Sequence, residues 1–149
     1  MVEMGEVLHI HICPVHRFPM EEVAWSEAVE NKGLKGCIHG RLGSRCQILL
    51  MDIETLETMG IAVGAVKENI TTRGVDFQGL HPGERVKIGE ATLEITIPCD
   101  PCSRMDEIRE GLQQELRGRR GWLCRVVAGG KISQGDRIEL QSKAQQVED

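Results

Sequence analysis

At 149 residues, the chain has the length of one domain with a single ordinary core, and its 40% hydrophobic and 28% charged fractions belong to the globular class. No window approaches the ~20 apolar residues that span a bilayer, which excludes a transmembrane helix. A net charge of −5 and only four aromatic residues, Phe18, Trp25, Phe77 and Trp122, exclude a nucleic-acid stacking surface.

Residues 5–13 alternate, with Leu8, Ile10 and Ile12 on one face and Val7, His9 and His11 on the other, which predicts a strand. Pro14 and Pro19 then interrupt regular structure. Residues 22–29 read as a second strand, and Asn31-Lys32-Gly33 as a turn. Residues 46–51 form an apolar run expected to be a buried strand. Asp52 is placed to cap a helix that ends at Gly60. Residues 85–88 and 91–97 flank Gly89-Glu90, a connection suited to a hairpin.

Residues 103–116 carry Met105, Ile108, Leu112 and Leu116 at helical spacing, with Ser103 as cap and Gly118 as stop. Residues 122–128 and 137–140 read as closing strands around a Gly135-Asp136 turn. Many short strands with two or three short helices predict a β-rich mixed α/β domain over residues 1–140, curled or barrel-like, followed by a polar tail over 141–149. The acidic N-terminus lacks the basic and apolar regions of a secretory signal. The expected compartment is therefore the cytoplasm, where six cysteines stay reduced rather than forming three disulfides.

The charge is unevenly placed. Residues 1–30 hold six acids and one base, whereas 104–137 hold eight bases and five acids. Such a local basic excess suits a small anionic ligand. Cys99-x-x-Cys102 has three readings: half of a zinc site completed by Cys13 and His16, a redox pair, or two cysteines that merely pack near a turn. Packing suits Cys99 best. Cys102 is different, because Pro101 fixes its approach and Arg104 offers a nearby positive charge. A soft thiolate there suits a soft metal or persulfide sulfur.

The stretch Lys67-Glu68-Asn69-Ile70-Thr71-Thr72-Arg73-Gly74 could cradle an anion through Asn69, Thr71 and Arg73, or form an irregular polar strand. His39, in a glycine-rich loop, either donates to a ligand or holds a turn. Arg45 either reaches the same anion or pairs with a surface acid. Arg117-Gly118-Arg119-Arg120-Gly121 reads as a solvated basic turn. Arg125, inside an apolar strand, needs an anionic partner.

In order and spacing these stretches resemble the MOSC domain, over roughly residues 5–140. The landmarks are Gly33-Leu34-x-Gly36 with His39, Glu68-Asn69-Ile70-Thr71, the 83–97 hairpin, Pro101-Cys102, Gly121-Trp122, Arg125-Val126 and Gly135-Asp136. The resemblance implies a protein that binds molybdenum cofactor (molybdopterin), with Cys102 as metal ligand or persulfide carrier. His39, Arg45, Asn69, Thr71, Arg73, Arg104 and Arg125 are then the candidates for holding the pterin and its phosphate. It implies a carrier in cofactor maturation or the cofactor-bearing part of a reductase of N-hydroxylated compounds. The partner would be a sulfurtransferase, a reductase or a molybdoenzyme, and no pyridoxal phosphate site is identified. The alternative is a zinc-stabilised or degenerate MOSC module serving only protein–protein interaction. One departure stands out: the family commonly has Gly-Asp before the His landmark, and this chain has Gly36-Cys37.

Overall fold

Short alternating segments joined by glycine turns build nearly all of the regular structure. The computed structural model describes residues 4–141, so the expected tail lies outside the described residues apart from Gln141. In chain order, β1 spans Met4–Ile12, β2 Glu21–Val23, β3 Trp25–Val29, β4 Gly33–Leu34 and β5 Ile48–Asp52. Helix α1 (Ile53–Met59) and β6 (Ile70–Arg73) follow. After a 3-10 turn at Phe77–Gly79 come β7 (Arg85–Ile88) and β8 (Ala91–Pro98). The chain finishes with α2 (Met105–Ile108), α3 (Leu112–Glu115), β9 (Trp122–Ala128), β10 (Gly130–Ser133) and β11 (Arg137–Leu140).

Seven strands close into a barrel in the order β11-β7-β8-β9-β5-β6-β1, with β1 pairing back to β11 through Met4–Glu139 and Glu6–Arg137. Its seams are antiparallel except β5–β6, which is parallel, and closure leaves no free edge on the ring. β2 lengthens the sheet beside Ile10–Ile12. β10, β3 and β4 form a separate three-stranded sheet. The β-rich barrel with three short helices is thus the expected architecture.

The interior follows from the patterning. In β8, Leu93 and Ile95 are fully buried while Thr92 and Glu94 are half-buried. Strand β1 departs from strict alternation: Val7 and Ile10 are both fully buried in the barrel core despite opposite parity. A register shift between Val7 and His9 explains this, because the extra residue turns the strand over. The continuous apolar run in β5 also has a cause. Ile48 and Leu50 fill the barrel, while Met51 packs outside under Leu56, Met105, Leu112 and Leu116 of the helical layer.

Asp52 caps α1 by accepting from the Thr55 N–H at 3.3 Å, and Gly60 ends it at φ 66°. Gly121 is needed for close approach as well as torsion. Its φ is 94°, and a Cβ there would meet the Leu50 carbonyl oxygen on the neighbouring strand.

Two elements differ from expectation. The 22–29 strand breaks at Ala24, because β2 pairs with β1 while β3 joins β10 in the other sheet. The 103–116 helix is two single turns: Arg109 is extended at φ −159°, and Gly111 is left-handed at φ 86°. Arg104 rather than Ser103 occupies the cap position, and it makes no side-chain cap bond. Strand β10 was not foreseen. Its pairing to β3 is non-local, and Gly130 approaches the Glu90 backbone too closely for any side chain.

Candidate functional site

Beside the helical layer, the outer face of the barrel is hollowed into a cavity of about 850 Å3. Leu49 of β5 and Leu123 of β9, paired across the strands, both line it. Around them converge the loop after β1, the β4–β5 loop, the loop before β6, the segment after β8, and the turn before β9. Four cations, Arg17, Lys67, Arg104 and Arg120, face this space against one carboxylate, Glu107. The cavity is therefore suited to an anion.

Cys102 lies at this cavity with its side chain exposed. The Arg120 guanidinium stands 3.9 Å from its sulfur. Arg120 also donates to the Asp100 carbonyl at 3.1 Å and to the Val66 carbonyl at 3.0 Å. One half-buried side chain therefore ties the Cys102 loop to the loop before β6. Its Nε is buried without a partner among the described residues. Cys99 is the inert member of the pair. Burial pushes its thiol up, the Arg120 charge opposes this, and Asp100 reinforces it.

His39 and Arg104 also line the cavity. Asn69 lines it too but is spent on the scaffold. Its Oδ1 accepts from the Leu49 N–H at 2.9 Å, and its Nδ2 donates to the His11 carbonyl at 3.1 Å. Thr71 is fully buried, 3.5 Å from Glu68. Glu68 is fully buried as well, and burial pushes its carboxyl up although the Gly64 N–H donates to it at 2.8 Å. The 67–74 block is thus mainly a loop-ordering device.

The structure does not bring the remaining candidates to the cavity. Arg73 pairs with Glu6, directly opposite it on β1, with Nε at 3.1 Å. Arg125 pairs with Glu94, its cross-strand neighbour on β8, at 3.0 Å. Glu94 is the anionic partner that a strand arginine requires. Arg45 is exposed and is not among the cavity-lining residues. Arg120 was missed, because three arginines in one turn look alike in sequence. The available signal was its position beside the β9 strand, whereas Arg117 and Arg119 sit in the turn proper.

Cys13, His16, Cys99 and Cys102 do share the cavity. Yet among the described residues no three His, Cys, Asp or Glu side chains gather as a metal-holding group. Cys13 explains part of this, since its buried thiol donates to the Val15 carbonyl at 3.2 Å. The four-ligand zinc arrangement is not assembled. All six cysteines are free thiols. Among the described residues no helix is long and apolar enough to cross a membrane.

The profile of the MOSC domain matches residues 14–139. Protein YiiM of Escherichia coli (strain K12) is 31% identical over 87 residues, covering 56% of this chain and 39% of YiiM. The matched stretch thus spans well under half the length of that curated relative. Among solved structures, the YUAD protein from Bacillus subtilis superposes with a TM-score of 0.80 at 19% identity, covering 95% of this chain and 98% of YUAD. The structure of YiiM from Escherichia coli superposes with a TM-score of 0.68 at 20% identity, covering 96% of this chain and 71% of that one. At these identities the superpositions speak for the fold.

Proposed function

The chain belongs to the MOSC domain family, and on that premise we propose that its cavity binds molybdenum cofactor, with Cys102 as the sulfur ligand of the metal or the carrier of transferable sulfur. One observation carries this reading: an exposed thiol, with Arg120 beside it, at a cavity lined by four cations and one acid. The residues present fit the group, because a soft sulfur donor stands among charges that match a pterin phosphate.

In this reading Arg17, Lys67 and Arg104 hold the anionic groups, and His39 donates to the pterin. Arg120 fixes the Cys102 loop and places its charge against the sulfur. Leu49 and Leu123 keep water from the wall behind the ligand. Cys99, pushed up by burial, stays protonated and leaves Cys102 as the reactive sulfur of the pair. When bound, molybdenum cofactor supplies redox chemistry at a metal, of the kind that removes oxygen from N-hydroxylated compounds. As a carrier instead, Cys102 would take sulfur from a sulfurtransferase and deliver it to a molybdoenzyme partner.

The test is reconstitution. Purified protein is mixed with isolated molybdenum cofactor and desalted, and the retained molybdenum and pterin are measured. Both should stay with the chain, less so as salt rises, since exposed cations hold the anion. Loss of both at low salt would refute the proposal.

A further inference from the structure

Cys37 is 7% exposed in the loop between β4 and β5, and its sulfur receives hydrogen-bond donors from two distant parts of the chain. The Cys13 backbone N–H, just past β1, points to it at 3.4 Å. The Asn69 Nδ2, just before β6, lies at 3.5 Å. His39, two residues along the same loop, favours the charged form of the thiol. The other enclosed thiols behave differently. Cys13, Cys99 and Cys124 each donate to a backbone carbonyl, those of Val15, Asp100 and Trp122. No carbonyl among the described residues accepts from Cys37. A buried sulfur that receives several donors and gives none is in surroundings built for a negative charge.

We infer that Cys37 is a buried thiolate behind the cavity wall, a positioning residue that holds the Asn69 carboxamide where it lines the cavity. Burial by itself pushes this thiol up. The hydrogen bonds from His39, Cys13 and the His39 backbone, with the nearby imidazole charge, outweigh burial and bring it to about 7. The titratable group facing it is His39 on its own loop, while the end of β1 offers the Cys13 backbone N–H and the segment before β6 the uncharged Asn69. Asn69 in turn grips the backbones of Leu49 and His11, so the thiolate braces three elements behind the cavity. Its consequence for cofactor retention rests on the function proposed above; the thiolate itself does not.

The test uses the cofactor-free protein, so it stands or falls separately from cofactor binding. Thiolate ultraviolet absorbance is titrated in the wild type, Cys37→Ser and Cys37→Asp, and the Asn69 side-chain amide resonance is followed by 1H–15N NMR. The expected result is one thiolate with a midpoint near 7, absent from both variants, and an Asn69 resonance moving with that midpoint. In Cys37→Asp, which keeps the charge, the Asn69 resonance should show no step there. If Cys37→Ser fails to fold, the charged variant and the wild-type NMR titration still decide. A Cys37 midpoint at the ordinary 9.0, or an Asn69 resonance unmoved between pH 6 and 9, would overturn the inference.

Discussion

The Arg120 guanidinium stands 3.9 Å from the Cys102 sulfur while its other nitrogen is anchored on the Val66 carbonyl at 3.0 Å. The exposed loop that carries the cysteine is thereby fastened to the segment that leads into β6. Arg120→Met keeps the apolar stem and removes the donors. It should cost about 1–2 kcal/mol in urea unfolding, because the buried Val66 loses a partner for its carbonyl. Cofactor retention after reconstitution should fall at least tenfold. Arg117→Met, in the turn proper, serves as the control and should change neither.

The Cys37 environment predicts a pH dependence of stability. Its folded value, about 7, lies below the ordinary 9.0, so its contribution is complete above pH 9 and is lost as pH falls through 7. Stability should therefore rise between pH 7 and 9, by on the order of 2 kcal/mol from this group, and Cys37→Ser should flatten that rise. Cys99 and Cys124, both pushed up by burial, act in the opposite sense, but only once unfolded thiols ionise near pH 9. Urea titrations at several pH values check the slope.

Glu68 gives the reverse sign. Burial raises its carboxyl above the ordinary 4.5, so ionising it at neutral pH costs folding free energy. Glu68→Gln keeps an oxygen acceptor for the Gly64 N–H without the charge. It should stabilise the protein at neutral pH by up to about 1 kcal/mol, with the gain vanishing below pH 4.5. Glu68→Ala instead orphans the Gly64 donor and should cost about 1–3 kcal/mol by the same measurement.

What was legible in the sequence was local. The alternation in β8, the Asp52 cap with Gly60, and the Gly89-Glu90 hairpin each depend on neighbours a few residues apart. Barrel closure through β1–β11 and the parallel β5–β6 seam depend on distant pairing and left no local mark. The 103–116 helix misled because Met105, Leu112 and Leu116 do pack together, although Gly111 breaks the backbone between them and Ile108 remains 42% exposed. Of the residues that line the cavity, Cys102 and His39 stood out through the family landmarks and Arg104 through its nearness to Cys102 in sequence. Arg73 stood out within the polar 67–74 stretch and Arg125 as a strand cation in need of an anion, and their partners Glu6 and Glu94 become visible only once strand register is known.

Metal and pterin content shows whether Cys102 presents its sulfur to a molybdenum cofactor in this cavity. Wild type and Cys102→Ser are purified from a host that makes molybdenum cofactor, without a metal-affinity step, and molybdenum and pterin are measured per chain. Molybdenum and pterin should be found together on the wild type, with molybdenum lost from Cys102→Ser. A wild-type chain carrying neither, or a variant retaining both at the wild-type level, would contradict it.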